Sequence, residues 1–437
     1  MKGSLVLFVA LLALVAHSCK ELPTQTEPPV ALALSLIDST CTDLELKLSA
    51  QPASGQRIVV ERHAQPSPVI VFDAVLNKPD TSILDTGLLP NTTYTYRAYH
   101  LANNVKRDST PALLARTMDT TSHDWTWTMQ NFGDFGSSAF YDVALINDTL
   151  AYAVGEIYLN DSLGQRDPTP YNLAVWKGQT WTFKKIFYSG NLIITSIRGI
   201  YVSKPNEIWL AGGSIFRWDG QSSHAPLVFS RLTLPNPNAT VEKLWGDSPS
   251  NVYGVGNAGT ILHYNGSSWR KIESGTSLDV VDIWGSVDEI LAVASQLGRN
   301  LNRAVLRFTP TGATSLSDLP LTEPLSTIWF HSLRRYYVAG SGIYDKRHLS
   351  DSLWLRSASQ VNEYYTNRIR GQAINDVITA GSFREILHYN GATWHSYRTQ
   401  IPNVSGPLGG IAMKGNLAII VGFSNGLAMV VIGRRNN

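Results

Sequence analysis

Asn251-Val-Tyr-Gly-Val-Gly256, then Gly259-Thr-Ile-Leu-His-Tyr-Asn-Gly266, then Trp269: this stretch decides the fold. It reads as a short β-run ending on glycine, a tight polar turn, a second run ending in Tyr-Asn-Gly, and a tryptophan. The phrase returns at Gly381, with Ile386-Leu-His-Tyr-Asn-Gly391 and Trp394. Looser copies place the small anchor residue at Gly155, Gly212, Gly256, Ala294, Gly340, Gly381 and Gly422. Ahead of each anchor lies another β-run with an apolar residue in register: Val143, Ile197, Leu244, Ile283, Ile328, Ile369 and Ile411.

The spacing is close to the roughly 40 to 50 residues of a four-stranded propeller blade. Such a unit cannot bury both faces by itself, so the copies must pack on one another. The Asn-Gly and Asp-Gly steps at 219–220, 265–266 and 390–391 mark hairpins. The last copy has three runs and no fourth. Trp125-Thr-Trp-Thr-Met-Gln130, ahead of the first anchor, resembles the Trp-bearing fourth strands and is the natural donor. The expected architecture for 122–437 is a seven-bladed β-propeller closed by this N-terminal strand, which leaves the ring without free edges.

The chain has 437 residues, 43% of them hydrophobic and 16% charged, with a net charge of +2. That composition supports more than one buried core. With no long basic or acidic run, nucleic acid is excluded as an electrostatically favoured partner. Residues 1–18 read as a signal peptide, with Lys2 ahead of an apolar stretch from Leu5 to Ala16. The sequence Ala16-His-Ser18 suits ordinary cleavage, while Ala-His-Ser followed by Cys19 resembles a relaxed bacterial lipobox. That resemblance implies lipidation of Cys19, a tether over 19–29, and an exported protein anchored at the outer membrane or cell surface by lipid alone. A bridge from Cys19 to Cys41 is the rival use of the two cysteines.

Residues 30–118 alternate like the strands of a β-sandwich. The segment Leu88-Leu-Pro90-Asn-Thr92-Thr-Tyr94-Thr-Tyr96 resembles the fibronectin type III signature. The resemblance implies a small sandwich in which a tyrosine ties a loop to the next strand, serving as a spacer. The whole chain is therefore expected to be all-β.

No nucleophile elbow, phosphate loop or metal-spaced His/Cys set occurs in the sequence, so neither a cofactor nor a metal is expected. His263 and His388 fill one slot of two repeats and read as strand residues. Asp142 and Asp282 share a register on the first strands of two blades, and a carboxylate pair is what a glycosidase needs. They are the weak catalytic candidates. Two residues further along, the copies read Ala144, Arg198, Trp245, Trp284, Trp329, Arg370 and Ala412. Aromatic faces stack on sugars and arginine forks bind carboxylates, so Arg198, Trp245, Trp284, Trp329 and Arg370 are the candidate ligand-binding set. The competing account is that these tryptophans wedge neighbouring blades apart.

A non-enzymatic binding or scaffold protein for an extracellular glycan or an envelope protein fits best. The alternatives are a polysaccharide-active hydrolase or lyase, and a structural component of a cell-envelope complex.

Overall fold

The computed structural model describes residues 29–52, 55–286, 288–296, 302–309, 312–331, 333–402 and 405–436. The expected signal peptide, Cys19 and most of the tether lie outside them. The described residues form β-strands and two single-turn 3-10 helices, with no α-helix among them. Among the described residues no helix is long and apolar enough to cross a membrane.

Two compact units result. One comprises the described residues to Ile37 with Glu45–Asp85 and Tyr94–Ala115; the other comprises Asp38–Leu44, Thr86–Thr93 and Arg116–Asn437. The N-terminal strands pair in two sheets. Ala31–Ser39, Asp43–Gln51 and Asp80–Thr86 make the first; Val69–Leu76, Gln56–Arg62, Thr93–Ala102 and Val105–Ser109 make the second, with Leu113–Arg116 also on Thr93–Ala102. Period-two alternation sends Ile58, Val60, Ile83, Tyr96 and Ala98 into the core. The Tyr96 hydroxyl donates to Asp85 Oδ2 at 2.7 Å, and the Arg62 guanidinium holds the same carboxylate at 2.8 Å. Tyr94, the signature tyrosine, lies beneath Arg62. The strand Val105–Ser109 escapes sequence reading because four of its residues are polar and no apolar alternation marks it. Its hairpin is turned by Asn103 and Asn104, both at positive φ as a type I′ turn requires.

In the larger unit the repeats become four-stranded antiparallel sheets. Sheet 1 contains Ala139–Asn147, Leu150–Ile157, Tyr171–Trp176 and Trp181–Lys184; sheet 2 contains Gly199–Lys204, Glu207–Gly212, Ser214–Trp218 and Leu227–Phe229. Sheet 3 contains Lys243–Ser248, Asn251–Gly256, Thr260–Tyr264 and Trp269–Lys271; sheet 4 contains Asp279–Gly285, Ile290–Ser295, Arg303–Thr309 and Gly312–Leu316. Sheet 5 contains Leu325–His331, Arg334–Gly340, Gly342–Lys346 and Leu355–Ser357; sheet 6 contains Thr366–Ala373, Asp376–Gly381, Ile386–Tyr389 and Trp394–Ser396. Sheet 7 is composite: Leu408–Lys414, Leu417–Ser424 and Leu427–Arg435 are completed by Trp125–Phe132. That closing strand runs in register from Trp125 opposite Arg435 to Phe132 opposite Ala428. The first strands contact one another in turn from sheet 1 to sheet 7, and the last meets the first.

The anchors need glycine for a reason that the structure makes concrete. A Cβ on Gly155, Gly256, Gly340, Gly381 or Gly422 would fall 2.0–2.4 Å from a backbone carbonyl oxygen, of Ala139, Thr240, Pro324, Tyr365 and Pro407 respectively. The second strand thus runs tight against the chain entering its own first strand.

Candidate binding site on the inner strands

Strand register fixes which inner-strand residues are equivalent. Val143, Ile200, Leu244, Ile283, Ile328, Ile369 and Ile411 each stand opposite the residue two before their anchor. Sheet 2 corrects the sequence reading: Ile200, not Ile197, holds the register position. The residue equivalent to Trp245 is therefore Tyr201, and Arg198 precedes the strand. The triplet Ile197-Arg198-Gly199 imitates Ile369-Arg370-Gly371, which is why the sequence misleads. The glycines differ in duty. A Cβ on Gly199 would meet the Glu242 carbonyl at 2.7 Å, whereas one on Gly371 would strike the Trp329 ring.

One step before the aliphatic position, the ring reads Asp142, Gly199, Lys243, Asp282, Thr327, Arg368 and Gly410. A register shift falls just ahead of this step in sheets 1, 4, 5, 6 and 7. Bulges re-aim side chains, and here they accompany a collar of buried charge. Asp282 is fully buried. It accepts from Thr327 Oγ1 at 2.6 Å and Ile328 N at 3.1 Å, and from both Arg370 Nη groups at 2.8 and 3.0 Å; Arg368 completes its ion pairs. Lys243 Nζ sits 3.0 Å from Asp142 Oδ1. Burial, reinforced by the nearby Arg368 guanidinium, brings the Lys243 ammonium down to about 8 despite Asp142. Burial would by itself raise the Asp282 pKa, but Arg368 and Arg370 hold its carboxyl well below the usual carboxylate range. A carboxylate so held is an anchor for guanidinium groups and a poor proton donor. Sequence reading paired Asp142 with Asp282 but missed Lys243 and Arg368 at the same step, because it compared like residues and not complementary charges.

One step beyond the aliphatic position stands the aromatic arc, now Tyr201, Trp245, Trp284 and Trp329, followed by Arg370. Each ring leans on the next sheet. A Cβ on Gly246 would meet Tyr201 at 2.7 Å, one on Gly285 would meet Trp245 at 2.6 Å, and one on Gly371 would meet Trp329 at 2.7 Å. Trp284 has Phe330 where the others have glycine. It donates from Nε1 to the Phe330 carbonyl at 3.0 Å, with the Arg370 guanidinium 4.9 Å over its ring. Trp329 is 1% exposed and Trp245 is 8% exposed. The arc is packed between sheets, as the wedge account anticipates, yet part of it borders open space. A cavity of about 280 Å³ is lined by Tyr201, Trp245, Trp284, Asp142, Arg370 and Met413, over the aliphatic ring positions of sheets 1, 2, 3, 4 and 7. Trp329 is absent from that lining. Arg198 is outside it too, its half-exposed side chain 4.0 Å above the Tyr141 ring and 4.0 Å from Glu242.

The repeated histidines belong to a different set. The third-strand slot that they share pairs with the start of the second strand in five sheets. Arg217 bonds Glu207 at 2.9 Å, His263 bonds Asn251 at 2.8 Å, Arg307 pairs with Glu289 at 3.1 Å, Asp345 with Arg335 at 2.8 Å, and His388 with Asp376 at 3.0 Å. In each of these five sheets the slot makes one polar partnership, written with different residues. Among the described residues no His, Cys, Asp and Glu cluster could hold a metal ion.

Repeated four-stranded sheets with inner strands in cyclic contact define a β-propeller-type fold. No protein-family model and no curated protein matches the chain. Among solved structures it is similar to "YCF48 bound to D1 peptide", at 17% identity and a TM-score of 0.54, over 73% of this chain and 99% of that one. It is also similar to "YCF48 from Cyanidioschyzon merolae", at 13% identity and a TM-score of 0.51, over 70% of this chain and 98% of that one. At these identities the likeness is one of fold.

Proposed function

We propose that this chain is a non-catalytic binding or scaffold protein whose seven-bladed propeller takes an apolar side chain of a protein partner into the central cavity. The observation that carries this reading is the cavity wall: aliphatic ring positions with Tyr201, Trp245 and Trp284, and Asp142 and Arg370 as the charged points. A wall that mixes aliphatic and aromatic groups with two charged residues can seat an apolar group and orient it by polar contacts. Sugar stacking asks for a free aromatic face, and the Tyr201, Trp245 and Trp284 rings lean on Gly246, Gly285 and Arg370. The bound peptide named for one propeller of similar fold is in keeping with a protein ligand. Two sheets, of three and five strands, support a fibronectin type III-like spacer ahead of the propeller, and the resemblance of Ala16-His-Ser-Cys19 to a lipobox supports a lipid tether outside the cytoplasm.

The protein from residue 22 onward should bind members of an immobilised peptide panel and leave a polysaccharide panel unbound and unshortened. Met413→Trp, which fills the cavity from a partly buried position beside the core of sheet 7, should weaken peptide binding at least about tenfold, and Trp284→Ala should do likewise with added loss of stability. Polysaccharide retention or cleavage, with no peptide bound, would reverse the assignment. For the tether, Cys19→Ala should move the protein from the membrane fraction to the soluble one; full retention would refute lipidation.

A further inference from the structure

We propose that His123 and His388 form an acid-released latch on the strand Trp125–Phe132 that completes sheet 7. The two imidazoles meet Nδ1 to Nδ1 at 2.8 Å, joining the segment just ahead of the closing strand to the third strand of sheet 6. Two like nitrogens at that distance require one donor and one acceptor, and the surroundings decide which is which.

His388 Nε2 faces Asp376 Oδ1 at 3.0 Å and Thr121 Oγ1 at 3.5 Å. The Thr121 hydroxyl proton is already given to the Asn375 carbonyl at 2.6 Å. Both neighbours of Nε2 are therefore acceptors, so Nε2 carries the proton and His388 Nδ1 offers its lone pair. His123 must then donate from Nδ1, which leaves its Nε2 to accept from Thr393 Oγ1 at 3.0 Å. Among neutral states one proton arrangement satisfies the ring contacts of both histidines.

A first added proton goes to His123 Nε2, where the Thr393 hydroxyl can turn away towards Asn390. A second has only His388 Nδ1, where it meets the His123 N–H head-on. The contact then breaks. The charged groups around the pair resist protonation on balance. Asp376 favours a charged His388, but it is shared with Arg435 of sheet 7 and with Gln372. The Arg435 guanidinium lies over Trp125, and His395 lies 5.2 Å from His123, ring centre to ring centre. Asp124 points to Asn436, and the Tyr397 hydroxyl donates to the His123 carbonyl. Burial, then the neighbouring histidines and Arg435, bring His123 down to about 4. Burial likewise lowers His388, with Asp376 opposing.

The sign follows from linkage. Each histidine titrates near 6.5 when released and lower when latched. The latch is therefore at full strength above about pH 6.5 and weakens as the pH falls towards about 4.

Hydrogen exchange of the full chain, corrected for intrinsic rates, tests this. Between pH 7.5 and pH 5.0 the opening of amides in Trp125–Phe132 should rise at least about tenfold, while that of Asn251–Gly256 should stay level. His388→Asn and His123→Gln, which cannot take up the protons, should flatten the response. An unchanged parent, a rise shared by all sheets, or an equal response in the variants would overturn the latch. If the variants do not fold, nitrogen NMR of the parent decides instead: the latch requires the Nδ1–H tautomer at His123 and the Nε2–H tautomer at His388, and an ordinary titration of His123 near 6.5 overturns it.

Discussion

Asp282→Ala should cost about 3–5 kcal/mol of folding stability, read as a fall in the urea midpoint of the full chain. The carboxylate is where sheets 4, 5 and 6 meet: it takes the Thr327 hydroxyl, the Ile328 amide and the guanidinium groups of Arg368 and Arg370. Removing it strands two cations away from water. Asp282→Asn should not rescue the loss, because an amide brings two N–H donors to a site that offers only donors. Asp142→Ala should cost less, since Asp142 is partly exposed and its buried partner Lys243, brought down to about 8, can shed its proton. The penalty for Asp282 should hold steady from pH 8 to pH 5. Its carboxyl is held low in the folded state, so the contribution is present above the unfolded value near 3.9 and is lost only in stronger acid. A loss under about 1 kcal/mol would show that the collar does not bear on stability.

A chain beginning at Gly133 should fail to fold as a cooperative unit. It lacks the strand whose ladder covers Ala428 to Arg435. It also lacks Trp125, which is 4% exposed in a core with Ile378, Tyr397, Met429 and Val431. Truncating one buried tryptophan costs about 3–5 kcal/mol, and the uncovered edge invites association between chains. The expected result is aggregated protein with no sigmoidal urea transition. Soluble 133–437 with a cooperative transition would show that the ring stands without its closing strand.

Most of the architecture is legible in the sequence because steric necessity writes it there. The anchors recur as glycine since a carbonyl crowds the Cβ position, and the closing strand is recognisable by its Trp-Thr-Trp. Ala294 is legible by spacing, not by type. The site is less so. The aromatic arc can be read from the sequence, but whether a tryptophan faces a ligand or the next sheet depends on the glycine opposite it, a whole repeat away. The charged collar is harder still: the acids Asp142 and Asp282 and the bases Lys243 and Arg368 stand on separate inner strands, and opposite charge, not likeness, relates them. In sheet 2 a three-residue imitation of the motif outweighs the true register, which the Tyr201 contact with Gly246 reveals.

The composite sheet 7 also sets an order of events. Residues 125–132 leave the ribosome roughly 300 residues ahead of the strand that they pair with. Until Leu427–Arg435 follows, this Trp-rich segment has no edge to join. The remaining sheets can form along the chain as it emerges, but the circle is sealed by the meeting of an early piece with a late one. A chain built in this way stays unsealed until Leu427–Arg435 arrives, so whatever delays that strand also delays the closing of the ring.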